Sequence, residues 1–479
     1  MANLPLIMVV VYLAVTMAIS FYFVKKNNDS KSFSVAGGAL TLPAVVAMLF
    51  SEMIAGSGTI GNATTGFTTG FSSVWANWGM CLGCIFFVVF VGRFYKAMGT
   101  RYGVMSVPEA YEKLFDFRCR MVLLVVIVLV YGILFSTQAK AAAAILAPML
   151  GVSTTVMTLI VAILFVVVTV VGGMKGIASM NLLHSFVMYL GVFIIAFLAL
   201  RLVGGPQVLV DTLPSTYFSF GQPDWLTTIA SAIGTAFSYL AAATTVSAVF
   251  TAKSVKTANR GCIIAGFLIV PFAMAPSLIG ICGKVLLPDA AAGSIIYTVA
   301  AQLGPFFSGL ISMAILAAIW STGPSLLLIV STTITRDFYR GVINKDPTDR
   351  QELNCTRLVA VIVGIGASLL GMGAGSILGS MLGAFQIRSV VGLVLVVALF
   401  WKRVNSRSAF WAMLIGGIVA AGWFFGGNPF GISAFWPAAA VTLIVLIPLS
   451  LTNREPVSQE HLRYTEALEY TRKQEQAKV

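Results

Sequence analysis

Apolar positions in this chain gather into uninterrupted stretches of about 20 residues separated by short polar links, and a helix of that length covers a hydrocarbon core of roughly 30 Å. Each stretch therefore predicts a membrane-spanning helix. Thirteen are found, near residues 5–25, 42–66, 74–96, 120–148, 153–174, 179–202, 226–250, 261–286, 304–334, 356–377, 378–401, 407–426 and 433–452. The first is preceded only by Met-Ala-Asn-Leu, without a basic n-region or a small-residue cleavage site, and reads as a retained span rather than a signal peptide. The predicted fold class is an all-α polytopic membrane protein.

Composition agrees. Of 479 residues 58% are apolar and 10% charged, against roughly half and a quarter in soluble domains. The 45 glycines and 17 prolines sit inside hydrophobic runs, where membrane helices tolerate them. Six cysteines and two histidines give no basis for a disulfide scaffold or a zinc domain. Cys81 and Cys84 form a CxxC in span three without other soft ligands and read as apolar packing.

The net charge of +13 is a topology signal rather than a nucleic-acid signal, because basic residues concentrate on cytoplasmic loops. With the N-terminus outside, only Lys140, Arg201, Lys284 and Arg388 fall elsewhere, which leaves 26 of the 30 Lys and Arg inside. The cytoplasmic set includes Lys25, Lys26, Lys31, Lys175 and the basic residues of the tail at 453–479. Residues 1–452 read as one membrane domain with no loop large enough for an independent core. An inner, plasma-membrane location with the C-terminus inside is the expectation.

Two spans are unlike plain anchors. Span two reads LPAVVAMLFSEMIAGSGTIGNATTGFTTG, with Gly56, Gly58, Gly61, Gly66 and Gly70 among Ser57, Thr59, Asn62, Thr64 and Thr65. Backbone released from a helix at membrane depth is tolerated where it lines a protein-enclosed or wet cavity, so a discontinuous helix is predicted near residues 51–58. Close packing through small residues accounts better for the glycines at 364–383 and 415–422. Span nine reads AILAAIWSTGPSLLLIVSTTITRDFY and clusters Ser321, Thr322 and Ser325 at the depth where Pro324 deletes a backbone donor. Such hydroxyls satisfy their own helix carbonyls or, with the carbonyls of a facing broken helix, surround a small hard cation such as sodium.

At these residues the chain resembles the sodium/solute symporter family, whose members have the LeuT-type inverted-repeat fold with additional peripheral helices. The likeness rests on residues 57–66, Gly172-Gly173 and the polar positions after them, TAKSVKTANRG at 251–261, AAIWSTGPS followed by STTITRDFY, and FWKR at 400–403. It implies core repeats at about 42–202 and 226–401, with spans 5–25, 407–426 and 433–452 peripheral. It also implies a sodium site formed by the carbonyls of Met53, Gly56 and Ala318 and the hydroxyls of Ser321 and Thr322. Relatives often carry an Asp and a Gln where this chain has Asn181 and His184, and Pro324 replaces one expected hydroxyl. A neutral amide binds a cation less well in low dielectric, so one sodium per cycle is expected. The seventh span, SYLAAATTVSAVFTAK, lacks the Trp- and Gln-containing stretch of sugar-transporting relatives, which argues against a sugar.

Ionisable groups at membrane depth need a partner or a role. Arg388 lies twelve residues from Phe400, about 18 Å along a helix at 1.5 Å per residue, hence near mid-membrane. Glu52 adjoins the implied sodium carbonyls. Three readings stay open: mutual neutralisation of Glu52 and Arg388, a guanidinium fork for a substrate carboxylate, or an Arg388 stem reaching the outer vestibule. His184 reads as a helix-end hydrogen-bonding residue or as a proton-coupling group. Ser57, Gln138, Tyr239 and Arg388 are the expected substrate contacts, with Glu52, Asn181 and His184 as coupling candidates; Lys140 reads as snorkelling.

The expectation is a sodium-coupled importer of a small polar organic solute, such as a carboxylate or amino acid, working by alternating access. Its partners are sodium, solute and lipid bilayer, with no nucleic acid and a monomer sufficient for transport. Proton coupling, an uncoupled facilitator or channel, and a membrane sensor are the rivals. An enzyme is not expected, because no paired carboxylates, metal-ligand clusters or nucleophile motifs lie at membrane depth.

Overall fold

A computed structural model describes residues 4–22, 40–371 and 377–476. Lys25, Lys26 and Lys31 lie outside the described residues, as do the Lys175 side chain and part of the 364–383 glycine run. Within them the chain is helical and contains no strand; the sole bridge pairs Leu40 with Ala252.

Among the described residues every predicted stretch falls on helix. Leu4–Tyr22 holds the described part of the first. Span two is Leu42–Gly56, a π-turn at Ser57–Gly61 and Asn62–Thr69; span three is Trp75–Phe86, Phe87–Val91 and Gly92–Tyr102. Span four is Phe117–Leu150. The fifth and sixth stretches are two helices, Thr154–Met174 and Gly176–Val203, that meet without a loop and are bent at Gly173, where φ is 54°. Only glycine reaches that left-handed region without side-chain strain, so Gly173 serves as the corner. Span seven comes in two pieces, Trp225–Leu240 and Ala243–Thr251, bent by 41°. Val255–Leu286, Pro305–Ile334, Asp349–Gly371, Ile377–Phe400, Ser406–Phe425 and Phe435–Leu451 complete the series.

Nine described segments are long and apolar enough to cross a membrane, or ten with the bent pair of span seven; Leu4–Ile19 and Phe435–Leu451 are shorter apolar helices. The segment Leu42–Tyr102 holds two of the thirteen predicted stretches. Sequence caps set several boundaries: Asp116 accepts from Cys119 N–H at 2.9 Å, Asp224 from Thr227 N–H at 2.8 Å, and Asn405 with Ser408 forms a capping box.

Span nine is the centre of the molecule. It packs against Thr154–Val203, Phe117–Leu150, Leu42–Gly56 and Leu4–Tyr22, and 94% of its most apolar window is buried, against 22% for Asp349–Gly371. Span ten instead presents Leu358, Ile362, Leu369 and Leu370 outward, the composition expected of a lipid-facing wall. The two broken spans run side by side and are tied at one end: Leu40 N–H donates to the Thr251 carbonyl at 2.9 Å, and Lys253 N–H to the Leu40 carbonyl at 3.1 Å.

Candidate ion and substrate site

Breaking a helix inside a membrane frees backbone groups that water cannot reach, so side chains must satisfy them. In span two the break falls at Ala55, with φ 49° and ψ −175°, inside the interval predicted from its glycines. The freed Gly56 N–H donates to Gln138 Oε1 of span four at 2.8 Å, and the Met53 carbonyl accepts from Asn77 Nδ2 of span three at 3.3 Å. Asn77 is held in turn by Asn62, whose Nδ2 donates to Asn77 Oδ1 at 2.8 Å. The break in span seven is treated alike. Tyr95 of span three donates to the Leu240 carbonyl at 3.0 Å, and Thr244 N–H donates to the Tyr131 hydroxyl of span four at 3.2 Å.

Span nine meets span two just before the Ala55 break. Ser321 Oγ lies 2.8 Å from the Ala318 carbonyl and 3.4 Å from that of Ser51, while Thr322 Oγ1 lies 2.9 Å and 3.1 Å from the same two oxygens. All are buried. Two hydroxyls and two carbonyls thus converge between facing helices, a set of hard oxygens suited to a small hard cation. Among the implied ligands, Ala318, Ser321 and Thr322 are brought together with span two at Ser51. The Met53 carbonyl is engaged by Asn77, and the Gly56 carbonyl accepts from Thr59 Oγ1 at 3.2 Å.

The expected substrate positions lie around the breaks of spans two and seven. Ser57 Oγ donates to Met381 Sδ of span eleven at 2.7 Å, and Tyr239 sets its ring edge-on to Phe385, centroids 6.4 Å apart. Arg388 is 2% exposed. Its Nε donates to Ser238 Oγ at 2.8 Å and its Nη1 to the Tyr131 hydroxyl at 3.2 Å, with the guanidinium over the Tyr131 and Phe385 rings. Glu52 is partly exposed and lies against Thr244. The described ion pairs include none between Glu52 and Arg388; Tyr131 and Thr244 stand between them. Direct neutralisation, one of the three open readings, is therefore not the arrangement present.

The remaining candidates sit on span six, apart from this cluster. His184 is fully buried and its Nδ1 is hydrogen-bonded to the Tyr12 hydroxyl of span one, while Nε2 is unpartnered. Both amide atoms of Asn181, one turn away, are also unpartnered. Sequence reasoning missed Asn77, Tyr95, Tyr131 and Ser238. The available signal was a polar atom in an apolar run, as in Asn77 of WANWGMCLG and Tyr131 of LVLVYGIL.

Comparisons with known proteins place the chain in a family and a fold. Residues 33–416 match the model of the sodium:solute symporter family. The sodium/glucose cotransporter of Vibrio parahaemolyticus is 25% identical over 452 residues, covering 83% of this chain and 81% of that protein. The osmoregulated proline transporter of Bacillus subtilis is 21% identical, covering 94% and 95%. Among solved structures, a substrate-bound, outward-open Na+-coupled sialic acid symporter superposes with a TM-score of 0.80 at 19% identity, over 95% of this chain and 99% of that one. The fold is thus that of the LeuT-type sodium-coupled transporters. The chain belongs to the sodium:solute symporter family.

Proposed function

We propose that this protein is a sodium-driven symporter that accumulates a small polar organic solute, a carboxylate or an amino acid, across the plasma membrane. The observation that carries the reading is the convergence of Ser321 and Thr322 hydroxyls on the Ser51 carbonyl at the break of span two. A sodium ion there ties span two to span nine and favours the outward-open arrangement. Solute then enters between spans two, four, seven and eleven, and the bundle containing the broken spans rocks against the rest. Loss of sodium inside releases the tie. Thirteen crossings, an outside N-terminus, one sodium per cycle and a functional monomer belong to this proposal. Proton coupling through His184 has less support, because that ring is engaged by Tyr12 away from the central cluster.

Sodium-dependent uptake into proteoliposomes tests the reading. Ser321→Ala and Thr322→Ala should each raise the half-saturating sodium concentration about tenfold or more, consistent with the roughly 1.5–3 kcal/mol of a hydroxyl contact to a charged group. Unchanged sodium dependence in both variants would overturn the site, and uptake that never exceeds the external concentration would indicate a facilitator.

A further inference from the structure

The sodium position and Arg388 are joined by one continuous set of groups. Ser51, whose carbonyl meets Ser321 and Thr322, is followed directly by Glu52. The Glu52 carboxylate lies against Thr244. Thr244 contacts the Tyr131 hydroxyl through its N–H at 3.2 Å and its Oγ1 at 3.4 Å, and the same hydroxyl accepts from Arg388 Nη1 at 3.2 Å. Five spans meet in this set of groups, two of them at their breaks.

Charge accounting then decides what the site lacks. Charges at membrane depth are stable when offset by a close partner or a ligand. Glu52 and Arg388 offset one another only across two intervening side chains, and none of the described hydrogen bonds uses Arg388 Nη2. A sodium ion beside Ser51 places a positive charge next to Glu52 and answers it. Arg388 is then left with a surplus positive charge in the low-dielectric interior, where its field is strong. A carboxylate on the guanidinium restores neutrality. A zwitterion adds no net charge and leaves the loaded site at +1.

We infer that the cargo is a small monocarboxylate held by Arg388, and that Glu52, acting through Thr244 and Tyr131, makes carboxylate binding depend on sodium. The inference rests on the sodium-driven reading above. It makes Glu52 a positioning residue for the electrostatics of the site rather than a solute contact. A plain salt bridge would lock Arg388 in every state; the interposed hydroxyls leave it free to exchange partners when sodium arrives.

Thermal melting of the purified protein in sodium chloride or choline chloride is the test. The probes are two- to nine-carbon monocarboxylates, each paired with its neutral amide, and the amino acids of matching size. Sodium alone should raise the melting temperature. Carboxylates should raise it further, with at least tenfold lower half-saturating concentration in sodium than in choline, while amides and amino acids add nothing. Glu52→Gln should bind the same carboxylate with less than threefold difference between the two salts. Arg388→Gln, and more mildly Tyr131→Phe, should lose the carboxylate shift while keeping the sodium shift, which also shows that they fold. No sodium shift in the parent would overturn the sodium-driven reading itself. A sodium shift followed by stabilisation from amides or amino acids, or by no carboxylate, overturns only the present inference. So does a Glu52→Gln variant with the parent's salt dependence.

Discussion

Ala55 occupies a backbone conformation, φ 49° and ψ −175°, that costs a residue with a side chain about 1–3 kcal/mol. Glycine stands next to it instead, and the reason is packing. A Cβ on Gly56 would approach Ala141 Cβ to 2.7 Å and Gln138 Oε1 to 3.3 Å, so crowding against span four, rather than dihedral freedom, decides where the glycine goes. Ala55→Gly should therefore stabilise the protein by about 1 kcal/mol, the relieved strain outweighing the roughly 0.4–1 kcal/mol of added unfolded-state entropy. Gly56→Ala should lower the melting temperature, since the collision displaces the Gln138 amide that accepts the Gly56 N–H. Thermal melts of both variants check the pair; a destabilised Ala55→Gly would mean that the strained form is set by contacts the methyl itself makes.

At the scale of the elements, the interrupted spans persist because other spans supply partners for their freed groups. Asn77 serves two at once, the Met53 carbonyl and the Asn62 amide. Asn77→Leu, close in volume, should cost about 2 kcal/mol through those abandoned groups, each worth roughly 1–3 kcal/mol when buried unpaired. It should also reduce uptake more than expression; a variant with parental melting and uptake would show that the Met53 carbonyl has another partner. This division explains what was legible in the sequence. The break in span two announced itself through five glycines and interleaved hydroxyls, and the hydroxyls of span nine through their neighbour Pro324. The break in span seven did not, because LAAATT contains neither Gly nor Pro and its freed groups are met by Tyr95 and Tyr131, more than a hundred residues away in the chain. The contact of Ser321 and Thr322 with the Ser51 carbonyl was equally illegible. It depends on how far span nine slides along span two, a property of their packing and not of either string. The fifth and sixth spans were legible as two helices, whereas their meeting at Gly173 without a loop was hidden, although Gly172-Gly173 marked the corner.

Across the whole molecule, the face read as cytoplasmic is closed by charges and by the tail. Arg120 of span four pairs with Asp337 at 2.9 Å and Glu112 at 2.5 Å, and donates to the Arg336 carbonyl at 3.1 Å. Arg120 and Asp337 are buried, so removing the arginine leaves an uncompensated carboxylate at a cost of about 3–5 kcal/mol. Arg120→Ala should consequently impair folding, whereas Glu112→Gln should spare it because Asp337 remains paired. The tail helix, Gln459–Gln476, lies over this face. Tyr464 packs on Phe94 with centroids 5.9 Å apart, Arg101 pairs with Glu466 at 2.9 Å and sits over Tyr470, and Arg463 reaches the Phe115 carbonyl at 3.1 Å. Ser458 N–H donates to the Lys402 carbonyl at 2.7 Å, and Ser406 is bound to Glu460. The tail thus joins the end of span three to the link between spans eleven and twelve. Truncation after Thr452 should lower the melting temperature and accelerate hydrogen exchange across Gly92–Leu114, because the apolar face of that segment loses its cover. Glu466→Ala alone should do neither, since the exposed ion pair is screened by solvent and Tyr464 still holds the helix down. Unaltered exchange at Gly92–Leu114 after truncation would show that the tail rests on this face without holding it.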